Sequence, residues 1–144
     1  METYKPVRIL LVEDNPDDVL ITQRALARSR VANELHIVRD GQEALDFLFD
    51  QGPDATRPDL ILLDVNLPRV NGMEVLEQIR RDDNLAVIPV IMLTASDREE
   101  DIVRSYRLGS NTYIQKPVEF AKFLQALDVL GQYWIVIAKL PTVA

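Results

Sequence analysis

The stretch Leu60-Ile61-Leu62-Leu63-Asp64 decides the fold, because an unbroken apolar run that ends in an acid is typical of a strand covered on both faces. A second run, Ile9-Leu10-Leu11-Val12, ends in the acid pair Glu13-Asp14. In a parallel sheet the working groups gather where the strands end, so these three acids are predicted to meet at one edge. The sequence therefore favours a parallel α/β sheet with a carboxylate cluster at the carboxyl ends of its strands.

Apolar strand-like runs alternate with longer segments of helical period along the chain, which predicts five βα units and right-handed crossovers. The predicted strands are Val7 to Val12, Glu34 to Val38, Leu60 to Asp64, Ile88 to Leu93 and Tyr113 to Gln115. The predicted helices begin after the cap Asn15, cover Gly41 to Phe49, follow Gly72, cover Asp97 to Leu108 with Gly109 as the stop, and begin again at Glu119. The turn-rich segment from Asp50 to Pro58 is predicted to be a surface loop.

Length and composition limit the possible functions. The chain has 144 residues and 47% hydrophobic content, which fits one domain with a sizeable core. Its 16 basic and 23 acidic residues give a net charge of -7 with scattered Lys and Arg, so nucleic-acid binding is not expected. No cysteine is present, which excludes disulfides and thiolate sites. The absence of a signal core, or of an apolar run near the roughly 20 residues of a membrane span, predicts a cytoplasmic protein.

Two further predicted strands end in residues with useful chemistry. The fourth delivers Thr94 and the fifth delivers Lys116, followed by Pro117. Clustered carboxylates repel one another unless they are protonated or hold a cation, and a divalent metal is the simpler explanation. An Asp nucleophile beside a hard cation, with a hydroxyl and an ammonium to receive negative charge, is suited to taking up a phosphoryl group. Each feature alone also has an ordinary explanation, as a helix cap, a turn cap or an exposed lysine, but the ordered set is improbable by chance.

These motifs together resemble the response-regulator receiver domain, the phosphoacceptor module of two-component signalling. The resemblance covers Val7 to about Leu130 and rests on Ile9 to Asp14, Asp59 to Asp64, Leu67-Pro68 with Gly72, Met92 to Ala95, and Lys116-Pro117. It implies a doubly wound, flavodoxin-like fold with a five-stranded parallel sheet in the order 2-1-3-4-5 and five helices. The domain core would be about 7–130, with a helical extension at about 131–144.

The resemblance also implies the roles of individual residues. Asp64 would accept a phosphoryl group from a histidine of a sensor kinase. Glu13, Asp14, Asp64 and the backbone carbonyl of Asn66 would organise Mg²⁺ or Mn²⁺, and near-octahedral oxygen coordination suits this set. Thr94 and Lys116 would contact the phosphoryl oxygens. Thr94 and Tyr113 would form the switch, although Tyr113 also fits an ordinary strand-edge tyrosine.

The sequence leaves two alternatives to the phosphoacceptor function open. One is an aspartate-nucleophile phosphohydrolase, but such enzymes carry a second acid two residues after the nucleophile, where this chain has Asn66. The other is a receiver-like binding module that is not phosphorylated, for which the loss of an acid, Thr or Lys would be expected. We therefore expect a phosphoacceptor and not a turnover enzyme.

The carboxyl-terminal segment offers a clue to partners. The predicted last helix carries two apolar stripes, and the second fits either packing under the chain's own terminus or a dimer or partner surface. The segment from Gly131 to Pro141 is similar to that of small stand-alone regulators paired with bacterial phytochrome kinases. This similarity implies a light-sensing histidine kinase as partner, a homodimer through the last strand and helix, and a signal that leaves by protein contact.

Overall fold

The computed structural model describes residues 6–28, 32–49, 57–94, 102, 104, 106–110 and 112–115, with position 94 and residues 112–115 described in their backbone only. Five strands form one sheet in the order β2-β1-β3-β4-β5, and all four pairings are parallel. The strands are β1 (Val7–Val12), β2 (Asn33–Val38), β3 (Leu60–Asp64), β4 (Val90–Thr94) and β5 (Thr112–Gln115). The predicted strand order is confirmed.

Helices cover both faces of this sheet. Those that lie wholly within the described residues are α1 (Pro16–Arg28), α2 (Gly41–Phe49) and α3 (Gly72–Arg81). The buried side chains of α1 share a core cluster with Ile9, Leu11, Leu60 and Leu62. Those of α2 and α3 share the opposite cluster with Leu10, Val12, Ile61 and Leu63. The alternation of strand residues between the two clusters explains the unbroken apolar runs and confirms the doubly wound arrangement.

Helix α1 begins at the signals that the sequence carries. The Asn15 side-chain oxygen accepts the backbone N–H groups of Asp17 and Asp18 at 2.9 and 3.3 Å, and Pro16 occupies the first helical position. In α2, Ala44, Leu45 and Leu48 are buried as predicted. No helix in the described part of the chain has the length and apolar character needed to cross a membrane.

The predicted fourth helix lies only partly within the described residues. Leu108 donates its backbone N–H to the Arg104 carbonyl at 2.9 Å, and Gly109 has a φ of 99°. This left-handed conformation favours glycine, which confirms Gly109 as the stop of a helical segment. The predicted helix from Glu119 lies outside the described residues.

Several details differ from the sequence-based predictions, including the end of β4 at Thr94 and not Leu93 and the start of β5 at Thr112 and not Tyr113. Strand β2 begins one residue earlier, at Asn33. Strand β4 begins at Val90 and not at Ile88, because the Ile88 N–H bonds to the Leu85 carbonyl in a turn and Pro89 has no N–H to donate. Tyr106 is one of the few apolar residues that the sequence offers to anchor the predicted fourth helix to the sheet, but it is 49% exposed.

Arg80, near the end of α3, joins three segments at the amino-terminal side of the sheet. Its Nε donates to the Gly109 carbonyl at 2.8 Å, and its Nη1 donates to the carbonyls of Ala86 and Ile88 at 3.0 and 2.7 Å. Burial lowers the pKa of the Arg80 guanidinium, because desolvation disfavours its charged form. Arg80 thus connects α3 to the segments that lead into β4 and β5.

Candidate functional site

The acids predicted to meet do meet at the carboxyl ends of β1 and β3. Glu13 directly follows β1, and Asp64 is the last residue of β3. These strands are neighbours, with Val12 paired to Leu63, so the residues that follow lie side by side. The Glu13 N–H also donates to the Val38 carbonyl of β2 at 3.0 Å. The sheet itself therefore sets the separation between the two acids.

The carboxylates of Glu13, Asp14 and Asp64 form a tight group. One oxygen from each lies within 4.8 Å of the others. Glu13 and Asp64 are 1% and 4% exposed, while Asp14 is exposed. Negative charges this close repel one another, and limited contact with water leaves the repulsion poorly screened. A donor set made only of carboxylate oxygens, open to solvent on the Asp14 side, fits a hard divalent cation that retains some of its waters.

The loop between β3 and α3, residues 65–71, folds back over Asp64. The Asn66 N–H donates to the Asp64 Oδ1 atom at 3.3 Å, which restricts the rotation of that carboxylate. The N–H groups of Leu67 and Gly72 both donate to the Val65 carbonyl, at 3.2 and 2.8 Å. The exposed Asn66 thus lies beside the carboxylate group in a loop held by its own backbone.

Gly72 makes this return of the chain possible. A Cβ atom at position 72 would lie 2.0 Å from the carbonyl oxygen of Asp64. No side chain can be accommodated at such a distance without moving the backbone of Asp64. Helix α3 then begins directly, because the Asn71 side chain accepts the Glu74 N–H at 3.1 Å as its N-cap.

The other residues predicted for the site lie only partly within the described residues. Thr94 is the last residue of β4, one position beyond Leu93, which pairs with Asp64. Its backbone therefore lies at the same edge of the sheet as the acids. Tyr113 lies within β5, paired with Met92, and the backbone alone is described there. Lys116 would follow β5 directly but lies outside the described residues.

Comparison with known proteins identifies this arrangement. Residues 9–128 match the family described as "Response regulator receiver domain". The chain belongs to this family. The match covers both acid-bearing strand ends and the loop after Asp64, and it confirms the receiver domain of two-component signalling predicted from the sequence. Neither the phosphohydrolase nor the non-phosphorylated module finds support in the comparisons.

Some relatives of this receiver domain are regulators of similar length. The chain is 39% identical over 142 residues to "Response regulator Rcp1" of Synechocystis sp., covering 97% of each protein. Among solved structures, it is similar to the phosphorylated cyanobacterial phytochrome response regulator RcpA, with 44% identity, a TM-score of 0.79, and 91% and 95% of the two chains covered. The Mn²⁺-bound form of Rcp1 is also similar, with 40% identity, a TM-score of 0.78, and coverage of 90% and 94%.

One residue that lies beside the loop after Asp64 was not predicted from the sequence to have a role near the acids. Gly41, which the sequence indicates only as a helix start, lies against the loop after Asp64, and its N–H approaches the Pro68 carbonyl at 3.4 Å. The adjacent Asp40 lies 3.8 Å from the guanidinium of Arg69, which has a positive φ of 72°. The Asp-Gly pair after β2 was the available signal, but such a pair is equally typical of a turn or helix start.

Proposed function

We propose that this receiver domain accepts a phosphoryl group on Asp64 from a phosphohistidine of a sensor kinase. A carboxylate oxygen of Asp64 would form the bond to phosphorus while the bond from phosphorus to the histidine nitrogen breaks and its electron pair stays on that nitrogen. With a proton already on the other ring nitrogen of the phosphohistidine, the products are an aspartyl phosphate and a neutral histidine. The observation that carries this proposal is the convergence of three carboxylates at the end of a fully buried central strand. The orientation of the Asp64 carboxylate is also restricted, through the Asn66 N–H.

We further propose that Glu13, Asp14, Asp64 and the backbone carbonyl of Asn66 hold Mg²⁺, or Mn²⁺ in its place. A bound divalent cation would neutralise negative charge on the attacking carboxylate and on the phosphoryl oxygens. The oxygen-only donor set and the mixed burial of the three acids support this assignment. The Mn²⁺-bound form of the similar Rcp1 supports it independently.

Thr94 and Lys116 complete the proposed site. The Thr94 hydroxyl and the Lys116 ammonium would donate hydrogen bonds to the phosphoryl oxygens, which are stronger when donor or acceptor is charged. A phosphoryl group shifts a conformational equilibrium only if it contacts one state better than the other. Thr94, together with Tyr113, would supply that difference as the switch. Nothing in this scheme requires turnover of a separate substrate, so the domain would act as a phosphoacceptor.

A phytochrome-type histidine kinase is the proposed partner, because RcpA is a phytochrome response regulator and the chain covers most of its length. We propose a single domain with a core of about 7–130 and an extension at about 131–144. Two copies of the chain would form a homodimer through the last strand and the carboxyl-terminal helix. The domain would act in the cytoplasm and signal through protein contact, without binding nucleic acid or membrane.

Intact-mass analysis after incubation with acetyl phosphate and Mg²⁺ tests the proposal. The expected result is one phosphoryl adduct on the wild type and none on Asp64→Asn or in the presence of a chelator. Asp83→Asn is the matched control, since it removes an exposed acid outside the site. Thr94→Ala should still form the adduct but respond weakly in any assay of conformational change. An Asp64→Asn protein that is phosphorylated like the wild type would refute the assignment.

A further inference from the structure

The start of helix α2 approaches the β3–α3 loop so closely that only glycine fits there. A Cβ atom at position 41 would lie 1.8 Å from the carbonyl oxygen of Val70 and 2.8 Å from its Cβ atom. Atoms that are not bonded to each other do not tolerate such distances, so any side chain at position 41 must displace the loop or the helix. Both partners in this contact are backbone, and neither can relieve it by choosing another rotamer.

Further contacts tie the same two segments together. The Gly41 N–H faces the Pro68 carbonyl at 3.4 Å, and the Asp40 carboxylate lies 3.8 Å from the Arg69 guanidinium. Leu67 is buried in the core cluster that includes the apolar side chains of α2, and Val70 packs against that cluster. The Pro68, Arg69 and Val70 contacts therefore join the loop to the start of α2, Leu67 and Val70 join it to the core that α2 and α3 share, and the Gly72 contact holds it from the side of α3.

The loop held in this way is the one that carries Asn66. The loop of residues 65–71 is short, and within it the Leu67 N–H donates to the Val65 carbonyl and the Val70 N–H to the Pro68 carbonyl, so its backbone has little freedom to absorb a displacement locally. A shift of Val70 by the distance that a Cβ atom demands would move the Asn66 backbone relative to Asp64. The N–H of Asn66, which bonds to Asp64, and its carbonyl would then both change position.

We propose that Gly41 is a positioning residue for the cation site, acting through the β3–α3 loop and not as a ligand. Its missing side chain lets α2 hold the β3–α3 loop where the Asn66 carbonyl can join Glu13, Asp14 and Asp64. The inference rests on the proposed function, because it assigns Gly41 a role toward the cation of that same site. It adds α2, a helix that supplies no ligand, to the elements that determine cation affinity.

The test compares Gly41→Ala with Leu48→Ala and with the wild type. Leu48 is buried near the end of the same helix, in the core cluster that also contains Leu67, so its truncation weakens α2 without placing any atom against the Val70 carbonyl. Hydrogen exchange of residues 65–71 is measured in the metal-free proteins, and Mn²⁺ affinity is measured by electron paramagnetic resonance of the unbound ion. Urea denaturation records the stability of each variant.

Gly41→Ala is expected to bind Mn²⁺ about tenfold more weakly, which is the lower end of the loss in affinity expected when a group that supports a metal ligand is removed. Its amide hydrogens at residues 65–71 are expected to exchange faster. Leu48→Ala is expected to keep wild-type values for both, despite a lower stability. Equal Mn²⁺ affinity and equal loop exchange in Gly41→Ala and the wild type would overturn the inference, as would the same loss in Leu48→Ala.

Two further outcomes distinguish a failure of the inference about Gly41 from a failure of the proposed function. Failure of the wild type to bind Mn²⁺ would count against the proposed function, while exchange in the metal-free protein would still decide whether Gly41 holds the loop. If Gly41→Ala does not fold, Asp40→Asn replaces it, because it retains an N-cap acceptor for the Glu43 N–H but removes the charge facing Arg69. Faster exchange at residues 65–71 in Asp40→Asn would support the inference, and unchanged exchange there would overturn it.

Discussion

Replacing Arg80 by methionine should destabilise the domain far more than the same change at its neighbour Arg81. Methionine keeps a long apolar stem on α3 but removes the guanidinium and its hydrogen bonds to three carbonyls. Those carbonyls belong to Ala86, Ile88 and Gly109, and all three bonds are part-buried. Arg81 is exposed and forms an ion pair with Glu77 one helical turn away, so it serves as a matched control.

The expected cost follows from the number and burial of these bonds. A hydrogen bond from a charged donor contributes about 1.5–3 kcal/mol to stability when it is well buried. Water can reach part of the Arg80 site, and the desolvation that lowers the pKa of the guanidinium offsets some of the gain. We therefore expect Arg80→Met to lower the free energy of unfolding by about 3 kcal/mol in total. Arg81→Met should lower it by about 0.5 kcal/mol or less, as for other exposed ion pairs.

Urea denaturation followed by circular dichroism gives both values from the transition midpoints. Arg80→Lys refines the test, since lysine keeps the charge but cannot place donors on carbonyls of separate segments as the planar guanidinium does. Its stability should fall between those of the wild type and Arg80→Met. If Arg80→Met lowers the free energy of unfolding no more than Arg81→Met does, the view that Arg80 holds the segments before β4 and β5 is refuted.

Other substitutions and conditions have similarly defined outcomes. Asn71→Ala should cost about 1 kcal/mol in urea denaturation through loss of the α3 N-cap, and Asn71→Asp should restore most of it. Leu62→Ala, in the fully buried β3, should cost about 2–5 kcal/mol, whereas Leu20→Ala, 45% exposed, should stay within about 0.5 kcal/mol of the wild type. Mg²⁺ at about one hundred times its Kd should raise the free energy of unfolding by about 2.7 kcal/mol, and Asp14→Asn should abolish most of that gain.

The sheet could be predicted from the sequence because its strands are chemically distinctive. Runs such as Leu60 to Leu63 have no polar residue to place toward solvent, so burial on both faces was the simplest solution. The first residues of a helix that has a side-chain cap were equally predictable from the sequence, as Asn15 illustrates. The error at Ile88 arose where an apolar residue serves a turn, because hydrophobicity alone does not distinguish a strand residue from a buried turn residue.

The carboxylate cluster was predictable for a related reason, because a strand that is predicted from the sequence also has a predicted end, and the acids stand at those ends. Glu13, Asp14 and Asp64 meet as the order of the strands requires. The contact of Gly41 with Val70 was not predictable, because it depends on the distance between two backbone segments that no side-chain pattern records. Arg80 was missed likewise, since its acceptors are carbonyl groups, which every residue has.

The pairing of β1 with β3 has a thermodynamic consequence for the acids at their ends. Glu13 and Asp64 are distant in the chain and are neighbours only because Val12 pairs with Leu63. An unfolded chain does not present them together, so the free energy of cation binding is coupled to that of folding. A substitution that loosens the two strands would then raise the cation concentration needed for half-occupancy, even where every ligand is intact. Cation titration would in this way report on the integrity of the sheet centre.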